Sequence, residues 1–218
     1  SSSPCARSRA AAAATTAAAA AVDGEAPSIL FCSTHVYEHF EDNPDADFFP
    51  GRGGPNEPDA GGSVVNVPLE PLWVRASRRN SGVAGQRENR RGRAGFRAAI
   101  SEDVLPRIRA FAPDLLLISA GFDGADGDDG NAQDDVGGLD LKRDDFRWVT
   151  AQLCGAACGT NKACAVVSVL EGGYGTFKEE MGAYNRNTLS SGCVAHVEAL
   201  CNHARTRQSA HVPVRPAP

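Results

Sequence analysis

Asp123 and Tyr174 stand where side chains do chemistry, each just past a short apolar run. Leu115 to Ile118 is aliphatic and bounded by Pro113 and Gly121, which fits a strand buried on both faces of a parallel sheet. Ala165 to Leu170 reads the same way, and Glu171-Gly172-Gly173-Tyr174-Gly175 follows at once. In open α/β folds the ligand crevice lies beyond the carboxyl ends of such strands. Gly172 and Gly173 lack a Cβ, so the backbone there can approach a ligand closely. A metal-ligating carboxylate beside a hydrogen-bonding phenol suits metal-assisted attack on a carbonyl.

The elements that must position these residues show as periodicity. Phe96, Ile100, Val104, Ile108 and Phe111 recur at helical spacing. Pro106 should kink that helix, or Ser101 caps a fresh one with Pro106 in its early turns. Phe146, Val149, Leu153 and Ala156 form the face of a second helix that Gly159 stops. A third spans about Thr188 to Cys201, with Val194, Val197 and Cys201 expected inward. Ser28 to Ser33 and Val64 to Val67 add two short strands. Strands alternating with helices imply a parallel, layered α/β fold.

Composition excludes several classes. The chain of 218 residues carries a net charge of −5, which argues against a general nucleic-acid binder. The alanine tract is too weakly hydrophobic for a membrane span. Seven irregularly spaced cysteines suit reduced, buried thiols rather than a disulfide framework. Neither Cys154 with Cys158 nor the Cys193, His196, Cys201 and His203 group has a zinc-finger spacing. The acidic loop after Asp123 fails the EF-hand pattern, because alignment on Gly130 puts Gly127 and Ala125 at ligand positions. Arg75 to Arg97 holds eight arginines against one acid, Glu88. It reads as a solvated insert, with a docking patch for an acidic partner or nucleic acid as the alternative.

Ser119-Ala-Gly-Phe-Asp123 and Leu170-Glu-Gly-Gly-Tyr174 resemble the two C-terminal signatures of the zinc-dependent histone deacetylase family, nearest its class II branch. Leu30-Phe-Cys-Ser-Thr-His35, Phe48-Phe-Pro-Gly51 and Asn66-Val-Pro-Leu69 resemble further family stretches in the same order. The resemblance runs from about Ile29 to about Leu189. It implies an arginase/deacetylase-like fold, a three-layer open parallel sheet with helices on both faces, here incomplete. The expected divisions are a low-complexity Ala-rich segment (1–27), the C-terminal part of a deacetylase domain (28–202) with an Arg-rich insert at about 75–95, and a flexible tail (203–218).

What the resemblance implies for the site can be put residue by residue. Asp123 matches a zinc ligand, and Tyr174 the catalytic tyrosine that hydrogen-bonds the substrate carbonyl. Phe49 matches an aromatic wall of the acyl-lysine channel, which Gly172 and Gly173 line with backbone. Ser33 and Thr34 match positions near a structural K+. Family members carry a His-His pair and an Asp-x-His zinc motif upstream, whereas Ser1 to Ser28 contains no histidine. His35 and His39 are assigned neither as base nor as ligand. One carboxylate cannot hold catalytic zinc, so a fragment inactive by itself is expected. Its implied substrate is acetyl-lysine in histones or other proteins, with corepressor-type partners, no direct nucleic acid and no membrane. The implied compartment is nucleus or cytoplasm, with organellar targeting by the Ala/Ser/Arg N-terminus a lesser reading. The alternative is a non-catalytic, deacetylase-like interaction protein.

Overall fold

A computed structural model describes residues 28–36, 62–72, 91–133, 136–159, 164–178, 183–185 and 187–210. β1 (Phe31–Val36) pairs in parallel with β2 (Val64–Leu69), Ser33 opposite Asn66. Helix α1 (Gly92–Ala99) continues through a π turn, Ile100–Val104, into α2 (Leu105–Phe111). β3 (Leu115–Ala120) pairs in parallel with β6 (Ala165–Leu170), Leu117 opposite Val167. Between them lie an antiparallel pair, β4 (Ala132–Gln133) with β5 (Val136–Gly137), and helix α3 (Arg143–Cys158). After β6 come a second antiparallel pair, β7 (Thr176–Lys178) with β8 (Ala183–Asn185), and helix α4 (Asn187–Ala210).

The helical periodicity expected from Phe96 is present, but the helix starts at Gly92. Pro106 falls in the first turn of α2, where a missing N–H costs least. The wider turn just before it keeps Phe96, Ile100, Val104 and Ile108 on one buried face. Burying each such side chain contributes about 1.5–3 kcal/mol. Ala112 ends the run in the left-handed region at φ 51°, its N–H donating to the Ile108 carbonyl at 2.9 Å. Arg93 and Arg97 sit on this helix rather than free in solvent, their Nε atoms donating to the buried Asp145 carboxylate at 2.6 and 2.7 Å. Asp145 also accepts from the Lys142 N–H at 2.8 Å, which caps the start of α3. Gly159 stops that helix at φ +52°, as expected.

Two expectations are corrected. The β3–β6 ladder is not buried on both faces. Leu116, Ile118 and Val166 pack against the core, and Ser168 reaches α4 through His196. Leu115, Leu117, Val167 and Val169 point the other way and are 46–61% exposed. Aliphatic runs announce two buried faces only when helices cover both, and among the described residues those contacting this ladder lie on one side. The second correction concerns α4. Val194 and Val197 are about half exposed and Cys201 faces outward. The inward face is instead Gly192, Ala195, His196 and Ala199. Small residues let α4 lie close on α3: a Cβ at Gly192 would stand 3.1 Å from the Phe146 ring.

His196 is buried between the helices and the sheet. Thr150 Oγ1 donates to the Phe146 carbonyl at 2.7 Å and lies 2.6 Å from His196 Nδ1. Ser168 Oγ lies 2.8 Å from His196 Nε2. In the neutral ring one nitrogen donates to one of these hydroxyls and the other accepts. Burial pushes its pKa down accordingly. His196 thus joins α3, α4 and β6.

Candidate active site at the strand ends

Two backbone bonds stitch the ends of β3 and β6 together. The Glu171 N–H donates to the Ala120 carbonyl at 3.0 Å, and the Phe122 N–H to the Gly172 carbonyl at 2.7 Å. Ser119 Oγ adds a bond to Glu171 at 3.1 Å. Beyond these bonds the chain leaves both strands as irregular turns, and those turns carry Asp123 and Tyr174. Tyr174 is 56% exposed, its ring available to a ligand.

Glycines create the common space. A Cβ at Gly172 would lie 2.8 Å from Asp123 Oδ2, so only glycine lets the carboxylate settle there. A Cβ at Gly130 would lie 2.8 Å from the Asp123 Cβ, 3.1 Å from Asp128 Oδ1 and 3.4 Å from the Tyr174 ring. Gly130 is therefore the point at which Asp123, Asp128 and Tyr174 meet. Desolvation raises the Asp123 pKa from its ordinary value, and the Asp128 charge adds to it. Asp123 as a residue is nevertheless exposed, so its charged form is disfavoured without the side chain being sealed from ligands. A cation beside it would offset that penalty.

Asp128 is the residue the sequence reading missed. It is 1% exposed. Its Oδ1 accepts from the Gly130 N–H at 2.9 Å, and its Oδ2 from the N–H groups of Tyr174 and Gly175 at 2.8 and 2.6 Å. The signal was an Asp-x-Gly step, the pattern of an Asx turn, hidden in a run of aspartates. Asn131 closes the same loop, accepting from Leu139 N–H at 2.7 Å and donating to Asp140 at 2.8 Å. Asp126 pairs with Lys142. Asp126 and Asp128 are thus engaged by the loop and its flanks.

The other expected site residues lie elsewhere or face elsewhere. The open side of Gly173, at φ +130°, points at Leu189 and Phe122, where a Cβ would stand 2.7 and 3.0 Å away. Its glycine requirement is thus set by the core. Ser33 and Thr34 lie on β1, opposite Asn66 and Val67, with Ser33 Oγ 2.9 Å from His35 Nδ1. Phe49 and His39 fall outside the described residues.

Parallel strands, with α3 in the crossover from β3 to β6 and a carboxylate and a phenol at adjoining strand ends, define a protein of the α/β class. The match to known proteins is narrower. The histone deacetylase domain family matches residues 13–189. Human histone deacetylase 7 is 36% identical over 149 residues, covering 68% of this chain and 13% of that protein. Human histone deacetylase 9 is 32% identical over 149 residues, covering 68% and 12%. The chain belongs to the histone deacetylase family. It spans about an eighth of the length of these relatives.

Family membership implies zinc, and the donors present bear on it directly. Among the described residues no group of three or more His, Cys, Asp or Glu side chains is placed to hold a metal ion. Asp123 fits one donor of a zinc site, and the described residues do not supply a whole one. The cysteines do not fill the gap: Cys154, Cys158 and Cys164 are buried, and burial pushes the Cys154 thiol up to about 11, far from a metal-binding thiolate. No helix among the described residues is long and apolar enough to cross a membrane.

Proposed function

We propose that this chain supplies the C-terminal part of a zinc-dependent deacetylase site that hydrolyses the acetyl amide of acetyl-lysine in histones or other proteins. The observation that supports it is the meeting of Asp123 and Tyr174 across Gly130 and Gly172. In this reading Asp123 contributes one oxygen to the metal. Zinc, when bound, polarises the acyl carbonyl and activates a water. The Tyr174 phenol donates to the substrate carbonyl oxygen as negative charge builds on it, a role worth about 3–4 kcal/mol of barrier where such donors are removed. Gly172 and Gly173 form a side of the lysine channel, with Phe49 opposite. Ser33 and Thr34 lie near a structural K+.

The finer architecture belongs to the same proposal. A three-layer sheet with helices on both faces would cover Leu115, Leu117, Val167 and Val169, which are exposed among the described residues. Residues 28–202 would then be the C-terminal part of the domain, with the Arg-rich insert at about 75–95 within it and its last residues, from Gly92, in α1. Corepressor-type partners and a nuclear or cytoplasmic setting complete the reading.

With Asp123 the one ligand assigned among the described residues, the 218-residue chain is expected to release no acetate from an acetyl-lysine peptide at saturating zinc. Turnover by this chain that Tyr174→Phe abolishes would show that the expected inactivity is wrong. The family role is tested by a full-length transcript across the codon for Ser1. An in-frame continuation into a His-His pair and an Asp-x-His motif is expected; a start close to Ser1 would favour an interaction protein without catalysis.

A further inference from the structure

We propose that Asp128 is the positioning residue of the Tyr174 turn: its buried carboxylate fixes the backbone that aims the phenol at Asp123. This rests on the reading of Asp123 and Tyr174 as one site.

The argument starts from hydrogen-bond accounting. Glu171 to Gly175 is irregular chain, so the N–H groups of Tyr174 and Gly175 have no strand partner. An N–H without an acceptor, once buried, costs as much as a lost hydrogen bond. Both instead donate to Asp128 Oδ2, at 2.8 and 2.6 Å. The same carboxylate takes the Gly130 N–H on Oδ1 at 2.9 Å. The Asp129 N–H returns a bond to the Gly175 carbonyl at 2.9 Å. One side chain therefore ties the loop after β3 to the turn after β6. The Tyr174 ring leans on Gly130, which the same carboxylate holds. With both oxygens engaged by N–H groups and the side chain buried, Asp128 is assigned to the Tyr174 turn.

Asparagine is the informative replacement. It keeps the size of aspartate but has one acceptor oxygen, the other position being an NH₂ donor. Asp128→Asn loses one of the two sets outright and, being uncharged, holds the other more weakly.

Amide hydrogen exchange followed by NMR on the full chain tests this. In the unaltered chain the Tyr174 and Gly175 amides should be protected by about 100-fold or more, like amides of regular structure. Asp128→Asn should speed exchange at these two amides by about 10- to 100-fold, the equivalent of a charge-assisted bond. Leu117 and Val167 in the β3–β6 ladder should keep their rates. In chains labelled with 3-fluorotyrosine, the Tyr174 resonance, assigned by its loss in Tyr174→Phe, should move toward the free amino acid, with Tyr37 and Tyr184 unmoved.

Three results would overturn the proposal. One is a pair of unprotected amides in the unaltered chain, a measurement that decides alone if Asp128→Asn does not fold. The second is equal acceleration throughout β3 and β6, which marks a purely structural carboxylate. The third is an unchanged Tyr174 fluorine signal. Neither readout involves zinc or acetyl-lysine, so failure of the deacetylase reading would show separately, as absent turnover in a longer in-frame polypeptide.

Discussion

Asp128 and Asp145 are both buried carboxylates, 1% and 0% exposed, and each accepts three N–H donors. Their donors differ in kind. Asp128 is served wholly by backbone N–H groups from two irregular turns. Asp145 is served by one backbone N–H and by the guanidinium groups of Arg93 and Arg97. Backbone donors fix the path of the chain, whereas guanidinium groups bring one helix to another. The first carboxylate shapes a turn that carries function; the second joins α1 to α3.

The largest effect should follow from breaking the joint. Asp145→Ala removes two charge-assisted bonds and the cap of α3 together. Removing one partner of a buried pair costs about 3–5 kcal/mol. Arg93 and Arg97 are 44% and 39% exposed and can turn to water, so about 2–3 kcal/mol is the better expectation. At this chain length that corresponds to a fall of about 5–10 °C in Tm, readable by a thermal melt. A fall no larger than that of Asp144→Ala, on the exposed side of the same turn, would erase the contrast with Asp128.

Next in size is a packing test that also shows where the sequence was silent. The four longer strands, most of the helices and both strand-end residues were legible, because a pattern of apolar residues reports period directly; the short antiparallel strands and the last turns of α4, which runs to Ala210 where a flexible tail was expected, were not. Which face of α4 turns inward was not. Size pointed to Val194, Val197 and Cys201, but the helix buries Gly192, Ala195 and Ala199 and places His196 between Thr150 and Ser168. Close approach of backbones and a paired imidazole outweighed two valines, and neither term is visible in a hydrophobic count. Asp128 was hidden for a related reason: among neighbouring aspartates, only the partners tell a turn-forming carboxylate from a solvated one. Ala195→Leu should therefore cost about 1–3 kcal/mol by overpacking, while Val194→Ser should stay within about 0.5 kcal/mol. Equal costs in urea titrations would restore the original face.

A pH series separates the buried groups further. For Asp145, burial alone would raise the pKa, but bonds from Arg93, the Lys142 N–H and Arg97 outweigh it and the net shift is downward. A depressed carboxyl lends stability that is present above its unfolded value of about 3.9 and lost as pH falls through the folded value. His196 is depressed by burial; its neutral form is the folded one, so stability is full above about 6.5 and lost as pH falls from there through the lowered pKa. His203, lowered by burial and then by Arg207, contributes in the same upper window. Urea midpoints should fall in two stages, one beginning near pH 6.5 and one below about 4, each pKa unit being worth about 1.4 kcal/mol. Asp145→Asn should abolish the lower stage and leave the upper one. His196→Gln should shrink the upper stage alone.

The smallest effect on stability is expected at the residue that matters most for the proposed chemistry. Tyr174 is held through its backbone N–H by Asp128, while its side chain is 56% exposed. Removing the phenolic oxygen touches neither the clamp nor the core. Tyr174→Phe should thus leave the thermal midpoint within about 1–2 °C, the range of a surface change of about 0.5 kcal/mol. In a longer in-frame polypeptide that turns over acetyl-lysine, the same change should lower kcat by about 100- to 1,000-fold, as loss of one oxyanion donor does. A large loss of stability would place the phenol in the packing rather than at the substrate, and the division between a backbone that is clamped and a side chain that is left free would fail.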